Sequence, residues 1–417
     1  MKKSLQKEKN KLRIALISRA VYPFHDYGGL EKHLYYQVRH LSEQGAEIDL
    51  FTEPAAADSD KKNVHFSINI KCNFISGRLV PIPRKKGFII LDRIINYPYL
   101  TRLFARDVIK KHRERPYDLV FAHGLAGWGV YQEFRKNRLG LPVILNPHGM
   151  EEFKNRNPLK ALMYRPFMRK MRKAASFSDK IVATDTIMIP EVKSYLQVDD
   201  SKIILLPNAI DIEEALSLVN EKKKTALIKK HNLENKLFFY SVGRLEANKG
   251  FDNLLVQFHR IKAEIKRDWI LLITGKGSKY NYLKDLIDEL DLAKNVHLTG
   301  PVADDELHTL LDLADIFILP SLYEGSSIAT LEAMVHKCPV IANRIGGLPD
   351  KVEQYTNGLL CDPDSPDEMG DAITELAGFN NKKLQDMGEQ SFKIVNDKFS
   401  WKSVAEESIR IFRRIIG

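Results

Sequence analysis

Twelve short runs rich in branched apolar residues recur along this chain, each separated from the next by a segment whose apolar positions keep helical spacing. That alternation constrains the fold more than any other feature. Strands joined through helices run parallel, because the crossover helix covers a face of the sheet, and strands buried on both faces read as continuous apolar runs. The first six runs are LRIALIS from Leu12, AEIDLFT from Ala46, DLVFAHG from Asp118, PVILNPHG from Pro142, KIVATD from Lys180 and KIILLPNAI from Lys202. The second six are LFFYSVGR from Leu237, WILLITGKG from Trp269, NVHLTG from Asn295, IFILPS from Ile316, PVIANRIGG from Pro339 and GLLCDP from Gly358. A charged, helix-prone stretch from Asp211 to Asn235 lies between the sets, and 417 residues exceed one ordinary core. The predicted class is therefore α/β, with two Rossmann-like parallel-sheet domains.

Composition narrows the function classes. Cys72, Cys338 and Cys361 are scattered without metal-ligand spacing, which points to a reducing compartment and no structural zinc. The opening MKKSLQKEKNK lacks the apolar centre of a signal peptide and is expected to be disordered over about ten residues. No run approaches the ~18 apolar residues that span a bilayer. A cytoplasmic protein is expected, with the inner membrane face as a second location.

The net charge of +10 is concentrated in two places: eleven Lys/Arg against three acids from Arg78 to Arg115, and nine against one from Lys154 to Lys180. Arg102, Arg106 and Lys110 recur beside Leu100, Leu103, Phe104 and Val108, and Arg165, Arg169 and Arg172 repeat the pattern near Leu162, Phe167 and Met171. Such faces suit an anionic membrane surface, or equally a solvated helix packed on its own domain. No nucleic-acid motif accompanies the charge, so nucleic acid is not an expected partner.

The chemistry-bearing residues fall after the predicted strands, where open parallel sheets bind ligands. In LPSLYEGSSIATLEAMVHKCPVIANRIGG, from Leu319 to Gly347, Glu324 precedes a helix and Glu332 lies inside it, among apolar neighbours that demand a polar partner. Between them Gly325, Ser326 and Ser327 offer backbone N–H groups at a helix N-terminus, a ready anion site. SVGRLEANKG, from Ser241, sets Arg244 and Lys249 five residues apart, two cations that suit a diphosphate. Gly28 and Gly29 precede a helix after the first strand and allow close approach of backbone to a phosphate or sugar. His148, between Pro147 and Gly149 at a strand end, is the most catalytic-looking histidine; His123 and Trp128 are candidates for the acceptor side. Neither Asp58 to Asp60 nor Asp362 to Asp364 makes a persuasive metal site, and no metal or other cofactor is predicted.

These elements resemble the E-x7-E, GRLxxxKG and GG-loop signatures of the retaining GT-B glycosyltransferases of group 1, often called family 4. The resemblance runs over nearly the whole chain from Leu12 and is most specific from Ser241 to Gly347. It implies a GT-B fold with two domains facing a cleft: an acceptor-side domain of residues 1–206 completed by a crossover helix at 398–417, and a nucleotide-sugar domain of residues 207–397. By the same resemblance Arg244 and Lys249 hold the donor diphosphate, the Gly28–Gly29 loop closes over it, and Glu332 takes the ribose hydroxyls. Glu324 takes hydroxyls of the transferred sugar, and His148 sits near the reaction centre. Lys276 and the backbone from Thr299 to Val302 are implied contacts of the nucleotide. Two departures stand out: Ser326–Ser327 replaces a common Phe–Gly, and Lys337 occupies a place where glycine is usual.

The function these readings predict is hexosyl transfer, with retention, from a nucleotide diphosphate sugar to a glycan or lipid-linked acceptor. Rival readings are a sugar-nucleotide epimerase, a synthase with a phosphosugar acceptor, and a non-catalytic scaffold that binds nucleotide.

Overall fold

The computed structural model describes residues 11–25, 29–54, 69–81, 89–148, 150, 152–153 and 158–417. The first ten residues, Gly28 and the Asp58 to Asp60 segment lie outside the described residues. The chain divides into two compact units, Met1–Pro207 with Val404–Gly417, and Asn208–Ser403.

The first unit is built on a seven-stranded, wholly parallel sheet of β1 (Arg13–Ile17), β2 (Glu47–Thr52), β3 (Ile70–Phe74), β4 (Leu119–His123), β5 (Val143–Asn146), β6 (Lys180–Ala183) and β7 (Ile203–Leu205). Its spatial order is β3-β2-β1-β4-β5-β6-β7. Helices α1 (Gly29–Glu43), α2 (Ile89–Ile94), α3 (Asn96–Glu114), α4 (Ala126–Asn137), α5 (Pro158–Phe177) and α6 (Met188–Leu196) belong to it. The central strands bury every residue of β4 and β5, which is why they read as unbroken apolar runs. β3 is absent from the twelve predicted runs for a physical reason. It is an edge strand with one neighbour, and its sequence IKCNF intersperses Lys71 and Asn73 among apolar positions.

The second unit carries a six-stranded parallel sheet of β8 (Leu237–Val242), β9 (Trp269–Thr274), β10 (Val296–Gly300), β11 (Ile316–Leu319), β12 (Val340–Asn343) and β13 (Gly358–Cys361), in the order β10-β9-β8-β11-β12-β13. Its helices are α7 (Ile212–Ser217), α8 (Glu221–His231), α9 (Phe251–Ile261), α10 (Tyr280–Glu289), α11 (Asp304–Leu313), α12 (Ile328–Val335), α13 (Pro366–Ala377) and α14 (Asn381–Lys398). Side-chain caps mark several starts: Asp211, Asn220 and Asn380 accept from the backbone N–H groups of Glu214, Lys223 and Lys383. The last helix, α15 (Trp401–Ile416), is amphipathic and buries Val404, Ala405, Ile409 and Phe412. Phe412 meets the ring of Phe121 on β4 edge-on, with centroids 5.5 Å apart, so the chain end returns to the first unit.

Each sheet reverses its order once, between β1 and β4 and between β8 and β11. A crevice opens at the carboxyl ends of strands at such a reversal. Arg244, Lys249 and Glu324 follow β8 and β11, and His123 ends β4.

Candidate functional site

In the second unit the loops after β8 and β11 are locked together by backbone contacts. Gly250 takes φ +67°, and a Cβ there would lie 2.2 Å from the Pro320 carbonyl oxygen, so only glycine fits. Leu322 N–H donates to the Asn248 carbonyl at 2.9 Å, and the buried Asn343 side chain at the end of β12 donates to the carbonyls of Pro320 and Ser321, both at 3.0 Å. This frame sets the Lys249 ammonium on the Glu324 carboxylate in an ion pair, with the side chains only 14% and 11% exposed. Ser321 Oγ adds a second donor to the same carboxylate oxygen at 2.8 Å. Arg244, in contrast, is exposed. Sequence reasoning assigned Lys249 and Glu324 to different parts of a ligand, whereas the structure brings them into contact.

The loop from Glu324 to Ser327 rests on the turn after β12. Gly346, at φ +48°, presses its backbone against Glu324 and Gly325, and Gly347 N–H donates to the Gly325 carbonyl at 2.8 Å. On the other side, a Cβ built on Gly325 meets nothing within 4 Å. Ser327 is buried, and its hydroxyl caps α12 by accepting from Thr330 N–H at 3.3 Å, which fixes the start of the helix. Ser326 is half-buried and accepts a hydrogen bond from Lys351 Nζ at 2.8 Å. Lys351 is 1% exposed, and no sequence motif marked it. Lys337 takes the left-handed conformation, φ 57°.

Glu332, half-buried on α12, lies near a hydroxyl chain that sequence reasoning saw only in part. Tyr240 Oη donates to Thr274 Oγ1 at 2.9 Å, and Thr274 Oγ1 is 2.8 Å from Thr299 Oγ1. Burial pushes the Tyr240 phenol up against its bond to Thr274, and the charge of Glu332 adds to the rise. Thr299 and Glu332 thus flank one network, with Val302 half-buried beyond β10. Lys276 is exposed, and its carbonyl accepts from Leu245 N–H at 3.0 Å.

In the first unit the structure joins two histidines that the sequence treated separately. His123 Nδ1 and His148 Nε2 are 3.1 Å apart, and the rings stack with centroids at 5.2 Å. A third ring, His33 on α1, meets His148 edge-on at 6.1 Å. His148 has φ 58°, held by its N–H bond to Asn146 Oδ1 at 3.0 Å. Burial pushes His148 down to about 3 and His33 to about 4, and holds His123 well below its ordinary value, helped by the neighbouring His148 and His33 rings. All three are neutral at pH 7. Nothing in GLEKHLYY distinguishes His33 from an ordinary helix residue, which is why it was missed. Gly29 opens α1, four residues before His33.

Trp128 is half-buried against the core of the first unit, with the ring of Tyr131 at 5.4 Å. Arg102 and Arg106 both pair with Glu133 of α4, at 2.8 and 3.1 Å. Burial alone would raise the Glu133 carboxyl, and the bonds from Arg106 and Arg102 hold it below its ordinary value. Arg172 Nε donates to the Tyr195 carbonyl at 2.8 Å. Arg102, Arg106 and Arg172 therefore each have a partner within the fold, though Arg106 is itself exposed, as are Lys110, Arg165 and Arg169. Among the described residues no helix is long and apolar enough to cross a membrane.

Residues 223–394 match the family described as Glycosyl transferases group 1, and residues 27–214 match Glycosyltransferase Family 4. The chain is 24% identical to a D-inositol 3-phosphate glycosyltransferase of Thermobifida fusca, over 87% of this chain and 85% of that protein. Among solved structures, sucrose-phosphate synthase of Thermosynechococcus elongatus superposes with a TM-score of 0.70 at 21% identity, covering 97% and 99% of the two chains. Anabaena HepE in complex with UDP-glucose superposes at 0.64 and 16% identity, covering 97% and 100%.

Proposed function

This chain is a glycosyltransferase of the GT-B superfamily, and from that premise we propose that it moves a hexosyl unit from a nucleotide diphosphate sugar to a glycan or lipid-linked acceptor, with retention. The observation that carries the reading is the Lys249–Glu324 pair at the β8/β11 reversal, beside the exposed Arg244. Diphosphate and sugar are adjacent in such a donor, so one ammonium between them serves both. It bonds a phosphate oxygen and orients a carboxylate that, being acceptor-only, takes the sugar's hydroxyl protons. Arg244 adds the second cation, and Glu332 takes the ribose hydroxyls. UDP-glucose bound to the similarly folded HepE supports a donor of this class.

In the reaction the bond from the anomeric carbon to the phosphate oxygen breaks as the acceptor oxygen bonds that carbon on the same face, and the acceptor proton passes to the departing phosphate. Charge grows on that phosphate, and fixed cations stabilise it most at that moment. On this reading Arg244 and Lys249 take the part of a divalent ion, and protein treated with EDTA keeps its rate.

A second acceptor class is a phosphorylated small molecule, favoured by the names of the inositol-phosphate and sucrose-phosphate relatives. For a lipid-linked acceptor, the exposed Arg165 and Arg169 of α5, beside exposed Leu162 and Met163, form the face proposed to meet anionic headgroups.

Thermal stability measured with UDP, GDP, ADP and their sugar conjugates tests the donor site. A ligand at 100 times its dissociation constant stabilises by about 2.7 kcal/mol. One nucleotide series is expected to shift the wild type and to leave Arg244→Ala unshifted; no shift with any of them overturns the reading.

A further inference from the structure

A lysine at 1% exposure is uncommon, because its ammonium must be hydrogen-bonded to stay charged away from water. Lys351 sits directly behind the Glu324–Ser327 loop. Its Nζ donates to Ser326 Oγ at 2.8 Å and to the Gly347 carbonyl at 3.3 Å, and it lies 5.7 Å from the centre of the Phe399 ring. Its own backbone is fixed as well: Lys351 N–H donates to Leu348 O at 3.0 Å, and Asn357 Nδ2 donates to Lys351 O at 3.0 Å. The ammonium is thus held at one point, in contact with the two loops that follow β11 and β12.

The chemical consequence lies in Ser326. An ammonium only donates, so at this contact the serine oxygen accepts, and its own proton must point elsewhere. Gly325, the preceding residue, is exposed and has open space on its Cβ side, so the loop presents a ligand-accessible face next to this hydroxyl. A hydroxyl whose oxygen already accepts from a cation is polarised and donates more strongly.

We propose that Lys351 is a positioning residue that fixes Ser326 as a hydrogen-bond donor toward the donor substrate, so that the site favours a nucleotide sugar presenting an oxygen acceptor at that point. This rests on the nucleotide-sugar reading above. The oxygen belongs either to the diphosphate or to the transferred sugar, and both offer the same acceptor chemistry.

Isothermal titration separates these sources. Wild type, Ser326→Ala, Lys351→Met and the double variant are titrated with UDP and UDP-glucose, GDP and GDP-mannose, and ADP and ADP-glucose. Lys351→Met keeps the length of the side chain and removes its charge; circular dichroism checks that it folds, and Ser326→Ala, on a half-exposed loop position, tests the contact without touching the buried lysine. For the series the wild type binds, each single variant is expected to lose about tenfold in affinity, and the double variant to lose no more than Lys351→Met alone, because the lysine acts through the serine. Loss confined to the nucleotide sugar puts the acceptor oxygen on the sugar; equal loss with the bare diphosphate puts it on the phosphate. Both support the proposal. Unchanged affinity in Ser326→Ala, or losses that add in the double variant, overturn it while the donor site stands. A wild type that binds no nucleotide overturns the donor reading and this inference with it.

Discussion

Lys249 and Glu324, 75 residues apart in sequence, form a largely buried ion pair at the point where the second sheet reverses its strand order. Removing one member of such a pair leaves the other charge without its partner, and the cost exceeds what the intact pair contributes. With both groups retaining some access to water, Lys249→Ala is expected to destabilise by about 1–3 kcal/mol. Glu324→Gln keeps a carbonyl acceptor for Ser321 and costs less. Urea unfolding of the two variants and their double mutant checks this: the double mutant should be more stable than the sum of the single effects predicts.

Two glycines in the same loop region separate folding from binding. A Cβ at Gly346 would stand 2.3 Å from the Glu324 carbonyl oxygen at a left-handed backbone position, so Gly346→Ala should cost more than about 2 kcal/mol. At Gly325 a Cβ meets nothing within 4 Å, and Gly325→Ala should stay within about 0.5 kcal/mol of wild type while weakening nucleotide-sugar binding, since the methyl group enters ligand space. Melting curves with and without nucleotide distinguish the two outcomes.

The histidine cluster gives a sign to the acid limb of stability. His148 and His33 titrate near 3 and 4 when folded and near 6.5 when unfolded, so between these values the unfolded chain binds more protons. Stability is fully present above pH 6.5 and falls as the pH drops toward 4, by up to about 1.4 kcal/mol per pH unit for each histidine. His148→Asn and His33→Asn should each flatten the melting temperature between pH 4 and 6.5 and leave it unchanged in slope from pH 7 to 8.

Strand runs such as WILLIT on β9 were legible because both faces of a central parallel strand are apolar, and β3 was not because an edge strand needs no such run. Arg244, Lys249, Glu324 and Glu332 could be picked out by residue type and spacing after strands. Their contacts could not: the Lys249–Glu324 pair depends on Gly250 fitting under Pro320, a relation between distant segments. Lys351, Tyr240 and His33 carry no local signal, since a lysine after Pro-Asp, a tyrosine in a strand and a histidine in a helix are ordinary until the fold buries them. In the basic stretches, period alone did not tell Arg102 and Arg106, which neutralise the buried Glu133, from Arg165 and Arg169, which face water.

That difference is measurable. Charge reversal of Arg165 and Arg169 should leave the melting temperature within about 1 °C, as surface changes do, and reduce flotation with vesicles containing anionic lipid. Reversal of Arg102 and Arg106 should lower the melting temperature by several degrees through Glu133. Wild-type protein that ignores anionic vesicles would remove the membrane reading and leave the fold unaffected.

The most direct test is turnover. Wild type and Glu324→Gln are incubated with nucleotide sugars and candidate acceptors, glycan and phosphorylated, and release of the nucleoside diphosphate is followed. Wild type is expected to release nucleotide from one donor series, and Glu324→Gln, while still folded, to be slowed at least about a hundredfold, roughly 2.7 kcal/mol of transition-state stabilisation. Equal rates in the two proteins would contradict the assignment of the Lys249–Glu324 pair to the donor site.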